Sequence, residues 1–493
     1  MLFNSISFLI FFPVVIFLYF LLPHKFSWVI LLIASCIFYM AFIPIYIFIL
    51  FVLIIIDYIA GIKIQQSKGK LRKAYLLLSI FSTIAFLFIF KYFNFFNANF
   101  EVIAHFLHLN YPLPVLELIL PIGLSFHTFQ SLSYVIEVYK RKQKAERHFG
   151  IYALYVMFYP QLVSGPIERP QHLLPQLHKH HIFSNADTTE GLKRMIFGFF
   201  KKIVIADRLS LVVNQVYASP QDYTGIPLII ATVAFAFQIY CDFSGYSDIA
   251  IGSARVMGIT LVENFNYPYV ASSIPEFWRR WHMSLYSWFR DYIYIPLGGN
   301  RGNSIFHFRN ILIVFTISGL WHGAQWTYVL WGFLHGLYMV ISTILKGYLV
   351  TFKNLFKTKN LQSFWRMLCV AATFFLVCVA WVFFRASTIT DAWYILTHGF
   401  IDLEKVSLAI FINDTLTLDK LIFGQGKGLG LLPEELLIAV VSIGAMGIYE
   451  WMHVTKKITM IPQVIRYAIY ILLILAILNL GITKKIPFVY FQF

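Results

Sequence analysis

The chain is short of charge. Asp, Glu, Lys and Arg make up 13% of its 493 residues, about half the ~25% of an ordinary soluble domain. That is too little to clothe a water-soluble surface of this size. Acid is scarcer than base, with 23 Asp and Glu against 39 Lys and Arg, a net charge of +16. The basic residues fall in short loops between apolar runs, as in KIQQSKGKLRK at 63–73. That is the pattern of cytoplasmic loops in a membrane protein, so no nucleic-acid partner is expected. Cysteine is scarce as well. Cys36, Cys241, Cys369 and Cys378 lie in apolar segments without metal-like spacing, so neither a disulfide framework nor a metal site is expected. There is no repeat of fixed period, no Gly/Ser linker and no low-complexity tail, and residues 1–493 read as one integral domain. The opening MLFNSISFLIFFPVVIFLYFLL lacks a basic region and a small-residue cleavage site. It is expected to be a retained span and not a signal peptide.

Apolar side chains are what the chain has in excess. Hydrophobic residues reach 59%, with 51 Phe and 29 Tyr, and the mean hydropathy is +0.72. Runs of about 17–25 such residues cross a bilayer as helices. Their number predicts an all-α, polytopic integral membrane protein with about ten to twelve spans. Runs at 5–22, 27–41, 43–62 and 74–93 lead to a loop, 94–114, with no Lys or Arg. Counting back from the basic 63–73 loop puts the N-terminus on the extracytoplasmic side. Run 149–163 is too short to span and predicts an in-plane or re-entrant piece. Run 191–217 reads as an interfacial helix with its basic residues on one side. The longest polar insert, 386–432, predicts a surface loop with short helices. His178, His180 and His181 read as a solvated loop, because no acid or Cys ligand accompanies them.

Polar groups in apolar runs need a reason. Gln238, Asp242, Asp248 and Arg255 fall within one such run, 226–258. Asp248 and Arg255 are seven apart and share a helix face, so these four are expected to form a structural polar network. The stretch from Pro275 to Trp331 carries more chemistry. It opens PEFWRRWHMSLYSWFRDYIYIPLGGNRG and closes on SGLWHGAQWTYVLWG. Its first part reads as one tilted, half-buried in-plane helix, from Pro275 to Pro296 and Gly298-Gly299. Arg279, Arg280, Arg290 and Arg301 give that part a basic lining. Such a lining suits lipid phosphates, and it suits equally the phosphates of an acyl donor. His322 lies about ten residues into the apolar run from Ile311, roughly 15 Å along a helix axis and near mid-membrane. Gly319, Gly323 and Ala324 leave room around its ring. A neutral imidazole there is a competent general base; the plainer alternative is a packed core histidine. The plainer alternative is preferred for His127, His335 and His453, which lack a basic and aromatic companion segment.

Taken with SGPIERP at 164–170, YCDFSGYSDIAIGSARVMG at 240–258, FNYPY at 265–269 and the closing FVYFQF, these stretches resemble the membrane-bound O-acyltransferase (MBOAT) family, of the alginate O-acetyltransferase (AlgI) type. The resemblance spans almost the whole chain. It implies a multi-helix fold with re-entrant or in-plane helices around a central funnel, and a catalytic core at about 115–350. It implies His322 as the essential catalytic residue and His282 as the accessory one. It also implies an acetyl group taken from a cytoplasmic thioester, acetyl-CoA, with no permanently bound cofactor. The group would move across a bacterial inner membrane toward an exported or cell-wall polysaccharide. Proteins of this type work with an extracytoplasmic SGNH-hydrolase-like acetyltransferase, and no GDSL-like nucleophile segment occurs in this chain. D-alanyl transferases of the DltB type and peptidoglycan O-acetyltransferases of the PatA type share parts of the pattern and stay open as alternatives.

The residues agree with that chemistry. A thioester's phosphates would meet the basic lining, and His322 would take the proton of an acceptor hydroxyl. Trp278, Asn300 and Gln325 join the arginines as candidates to contact the donor, orient the ring or stabilise an oxyanion. A polysaccharide export channel is the non-enzymatic alternative. Such transporters show internal repeats and paired broken helices, and the lack of a repeat favours the enzyme.

Overall fold

The computed structural model describes residues 1–354, 358–412, 414–423, 428–455, 461–482 and 486–489. Among them there is no strand. An apolar backbone away from water can satisfy its own N–H and C=O groups segment by segment only as helix. Eight helices are long and apolar enough to cross a membrane, and two shorter apolar ones, Ile6–Leu21 and His24–Met40, precede them. The protein is therefore an all-α, multi-pass membrane protein. The described part of the 386–432 insert holds three short helices, Ile389–His398, Leu403–Phe411 and Thr415–Phe423. Its residues 413 and 424–427, the side chain of His453 and the last four residues of FVYFQF lie outside the described residues.

Several elements depart from the predicted pattern. The 94–114 loop is helical in its first half: Gly69–Leu87 continues through a π turn into Phe93–Phe106. That sequence holds no Pro or Gly to stop a helix before Pro112. The 191–217 stretch does not lie on a surface with its bases outward. Helix Asn185–Phe199 enters a π turn, Phe200–Ala206, before Asp207–Ala218. The wider turn directs Lys201 and Lys202 inward, to 4% and 1% exposure. The expected in-plane helix from Pro275 is broken into two short ones, Ile274–Trp278 and Met283–Phe289. The break falls on His282, whose backbone is left-handed at φ 44°.

The chain divides into two compact units, one of residues 1–195 and 246–263, the other of 196–245 and 264–493. In the first, Asp57 is fully buried and accepts hydrogen bonds from Ser79 Oγ at 2.5 Å and Thr83 Oγ1 at 3.4 Å. Helix Phe149–Met157 is buried along almost its whole length. Protein cover of this kind is what a short apolar helix in a membrane requires. Asp248 and Arg255 do not pair with each other. Asp248 meets Arg194 at 3.0 Å, and Arg255 meets Asp187 at 2.6 Å. His178 pairs with Glu146 at 2.8 Å, and His181 with the carbonyl of Gln176.

The second unit is built on an aromatic core that includes Phe235, Trp281, Trp331 and Trp381. Its central feature is a hairpin of two helices, Ser304–His322 and Trp326–Asn354. The two backbones touch. A Cβ on Gly332 would stand 2.3 Å from the carbonyl oxygen of Phe315 and 2.9 Å from Gly319 Cα. Small residues at such a crossing let helices pack without a hydrophobic driving force. The Gly332→Val variant is expected to cost about 1–3 kcal/mol, because backbone cannot move aside as a side chain can. Thermal unfolding of the purified protein in detergent measures it, and an unchanged midpoint would mean that the hairpin tolerates separation.

Candidate active site

His322 is the last residue of helix Ser304–His322, and Gly323 follows as the C-cap. It therefore stands at the bend of the hairpin and not midway along a continuous span. The reason is local: a Cβ on Gly323 would meet the Tyr328 ring at 2.2 Å, so only glycine lets the chain turn there. The imidazole is 4% exposed. Its neighbours are the rings of Trp321, Trp331 and Phe384, at 4.8, 5.0 and 5.4 Å between centroids. This is a dry, low-dielectric shell in which charge developing on a substrate is screened little.

His282 is 1% exposed. Its left-handed backbone is uncommon for a side chain other than glycine, and such conformations gather at functional sites. Nδ1 lies 3.0 Å from Asn264 Oδ1. The same oxygen accepts from Ser284 N at 3.3 Å and Ser284 Oγ at 2.9 Å. An acceptor with those donors requires Nδ1 of His282 to carry the proton, which makes Nε2 the basic nitrogen. The Trp321 ring is 6.4 Å from His282 and 4.8 Å from His322. The fold thus brings the two histidines onto one indole. Asn264, which fixes the His282 ring, escaped the sequence reading, although it immediately precedes FNYPY.

The remaining candidates separate. Trp278, Arg279 and Arg290 line a cavity of about 610 Å³. Arg290 also pairs with Asp291 at 2.8 Å. Arg280 turns elsewhere. It pairs with Glu276 at 2.9 Å and donates to the carbonyl of Asn266. Those contacts hold Glu276 ionised, and its pKa lies below the ordinary value, because hydrogen bonds from Ser272 and Arg280 outweigh burial. Asn300, Arg301 and Gln325 are exposed residues of turns, outside the cavity lining. Gln238 is buried. Asp242 meets Lys202 at 2.6 Å, and Lys202 meets Asp207 at 2.8 Å. Lys202 and Asp207 are further buried polar groups that spacing did not single out, and His335, read from the sequence as a packed core histidine, is fully buried. Among the described residues no three His, Cys, Asp or Glu side chains gather closely enough to hold a metal.

The cavity runs along one face of helix Ser304–His322, past His307, Ile311, Phe315 and Ser318. Ser318 is one turn short of His322. Eleven residues of helix from His307 to Ser318 rise about 17 Å. Lys346, Arg279, Arg290 and His307 provide basic groups along the lining, and Leu285, Phe289, Val314 and Met339 provide apolar wall. A cavity with basic and apolar lining that reaches Ser318, one helical turn from a buried imidazole, suits a long anionic substrate.

The sequence model of MBOAT, the membrane-bound O-acyltransferase family, matches residues 16–381. The chain belongs to this family. It is similar to the probable alginate O-acetylase AlgI of Azotobacter vinelandii, 33% identical over an alignment that covers 100% of both chains. It is 38% identical to the probable alginate O-acetylase AlgI of Pseudomonas aeruginosa, over 80% of this chain and 74% of the relative. It is 35% identical to a peptidoglycan O-acetyltransferase of Helicobacter pylori, over 72% and 70%. As a member of the MBOAT family, the protein is a membrane-bound O-acyltransferase.

Burial pushes the His282 imidazole down to about 3. Its folded value thus lies below the unfolded value of about 6.5, and the unfolded chain binds the extra proton. The contribution of neutral His282 to stability is fully present above about pH 6.5 and is lost as pH falls toward 3, with a slope of up to ~1.4 kcal/mol per pH unit. His282→Gln is expected to flatten the acid side of the unfolding midpoint against pH, measured in detergent. Parallel curves for variant and wild type would contradict the burial of a neutral ring.

Proposed function

We propose that this protein transfers an acetyl group from acetyl-CoA to a hydroxyl, for O-acetylation of an exported polysaccharide of the alginate type. The cavity supports this reading most directly. It offers basic groups to the donor's phosphates and an apolar path for its arm, and it stops one helical turn from the His322 imidazole. Arg279 and Lys346 bind phosphate as ionic donors. His322 takes the proton of the acceptor hydroxyl, and the oxygen attacks the thioester carbonyl. The new C–O bond forms, the C–S bond breaks, and the thiolate leaves with the proton that His322 held. His282, fixed by Asn264, stands across Trp321 as the accessory ring.

The placement follows from charge. The basic 63–73 loop belongs on the cytoplasmic face of a bacterial inner membrane, with the N-terminus outside. The donor thioester is cytoplasmic, and the acceptor polymer lies beyond the membrane. An extracytoplasmic SGNH-hydrolase-like acetyltransferase is the partner that would complete the transfer.

His322→Ala is expected to lower acetyl transfer by at least about 10²-fold at unchanged protein yield, assayed with acetyl-labelled acetyl-CoA and membranes that contain the polymer. Undiminished transfer would overturn the role of His322. Use of a D-alanyl carrier protein in place of acetyl-CoA would overturn the donor. Arg279→Ala combined with Lys346→Ala is expected to raise the KM for acetyl-CoA about tenfold, through two lost phosphate contacts worth ~1.4 kcal/mol together. Turnover at saturation should change less, and an unaltered KM would detach the donor from this cavity.

A further inference from the structure

The cavity does not touch His322. Trp278, Phe315 and Ser318 belong to its lining, and Ser318 precedes His322 by one turn of the same helix. Trp278 connects this lining to the rings around the imidazole: its ring is 5.1 Å from Phe315 and 5.9 Å from Trp331. Trp331 in turn is 5.0 Å from His322. Trp331 is held from behind, stacked at 5.6 Å and 17° on Trp381. Trp278 has a different anchor. Its indole N–H donates to Nδ1 of His335 at 3.3 Å, across 57 residues of sequence. Because an indole is only a donor, His335 must accept through Nδ1 and carry its proton on Nε2. The His335 ring is fully buried and lies parallel to Phe277, 6.2 Å away and tilted by 5°. The short helix that carries Trp278 is fixed at its start. Ser273 caps it, and Ser272 donates to Glu276 through both its N and its Oγ at 2.8 Å.

We propose that Trp278, pinned by His335, is a partition between the cavity and His322 that keeps water from the thioester until an acceptor is in place, with His335 acting as a positioning residue. The proposal rests on the cavity being the donor site. A thioester carbonyl beside a histidine base is open to water as well as to a sugar hydroxyl. In the wasteful reaction a water O–H gives its proton to His322, the new C–O bond forms, the C–S bond breaks, and acetate and free thiol leave. An indole that fills the end of the cavity excludes that water. Removal of the ring, or of the hydrogen bond that holds it, joins the two spaces.

The test uses the purified full chain in detergent with acetyl-CoA and no acceptor, and it follows free thiol. Trp278→Ala is expected to raise acceptor-independent thiol release about tenfold. His335→Ala should raise it in the same direction, and His335→Gln, which retains a hydrogen-bond acceptor, should return it toward wild type. Adding His322→Ala to Trp278→Ala should abolish the gain, since water would then lack its base. A variant that is merely destabilised loses hydrolysis and transfer together and does not raise one against the other. Trp278→Phe keeps most of the ring and serves where the alanine variant fails to fold; its release should fall between wild type and His335→Ala. Thiol release within twofold of wild type in the folded Trp278 and His335 variants would overturn the partition. Binding of labelled coenzyme A to the wild type is measured beside it. If that binding is absent, or survives Arg279→Ala with Lys346→Ala unchanged, the donor site itself is wrong and the partition falls with it.

Discussion

Lys202 is 1% exposed and lies between Asp207 at 2.8 Å and Asp242 at 2.6 Å. An ammonium taken out of water is tolerable only beside a carboxylate, and a carboxylate only with enough donors around it. Burial pushes the Asp207 carboxyl up, against the pull of Lys202. Asp242 takes a further hydrogen bond from the backbone N–H of Val489 at 2.6 Å. The Phe488 ring covers the ammonium at 4.2 Å. The requirement that each buried polar group be met within the chain shapes much of the second unit. It accounts for the π turn that swings Lys202 inward, and for the near-terminal segment lying against residues almost 250 positions earlier.

The same requirement makes the site. A histidine at 1% exposure must either be neutral and hydrogen-bonded or be absent. Burial disfavours the charged form of His282, and one amide oxygen, on Asn264, collects its N–H together with both donors of Ser284. To reach that oxygen the backbone breaks its helix and takes a left-handed residue. His322 has a different setting. It stands at the end of a helix, where a glycine lets the chain fold back and a shell of indoles and Phe384 closes around the ring. His282 sits in a polar knot, His322 has aromatic rings around it, and Trp321 lies against both.

The cavity and the His322 ring are separate spaces in this structure, and in the proposed partition that separation has a chemical use. A transferase must shield an activated thioester from water while admitting a hydroxyl. Aromatic side chains suit a partition because they fill volume and lose little entropy when they are fixed. A tryptophan has one polar atom, and anchoring that atom fixes the plane of the whole ring. His335 provides the anchor from the partner helix of the hairpin. Close contact at Gly319 and Gly332 keeps that helix in register.

The sequence by itself was enough for the membrane class, the helical architecture and the family, and it named the two histidines as candidates. Apolar run length and local motif spacing carry that information, and both are properties of neighbouring residues. Only the tertiary structure decided which polar groups meet. His282 finds its partner 18 residues away, Trp278 57 away and Asp242 247 away, and no periodicity records such separations. For the same reason Arg279 and Arg280, adjacent in WRRWH, part company: one lines the cavity, the other pairs with Glu276. The helix break at His282 belongs to the tertiary level as well. A strained backbone is held by its surroundings, and the Asn264 oxygen that holds this one comes into reach only when the chain has folded.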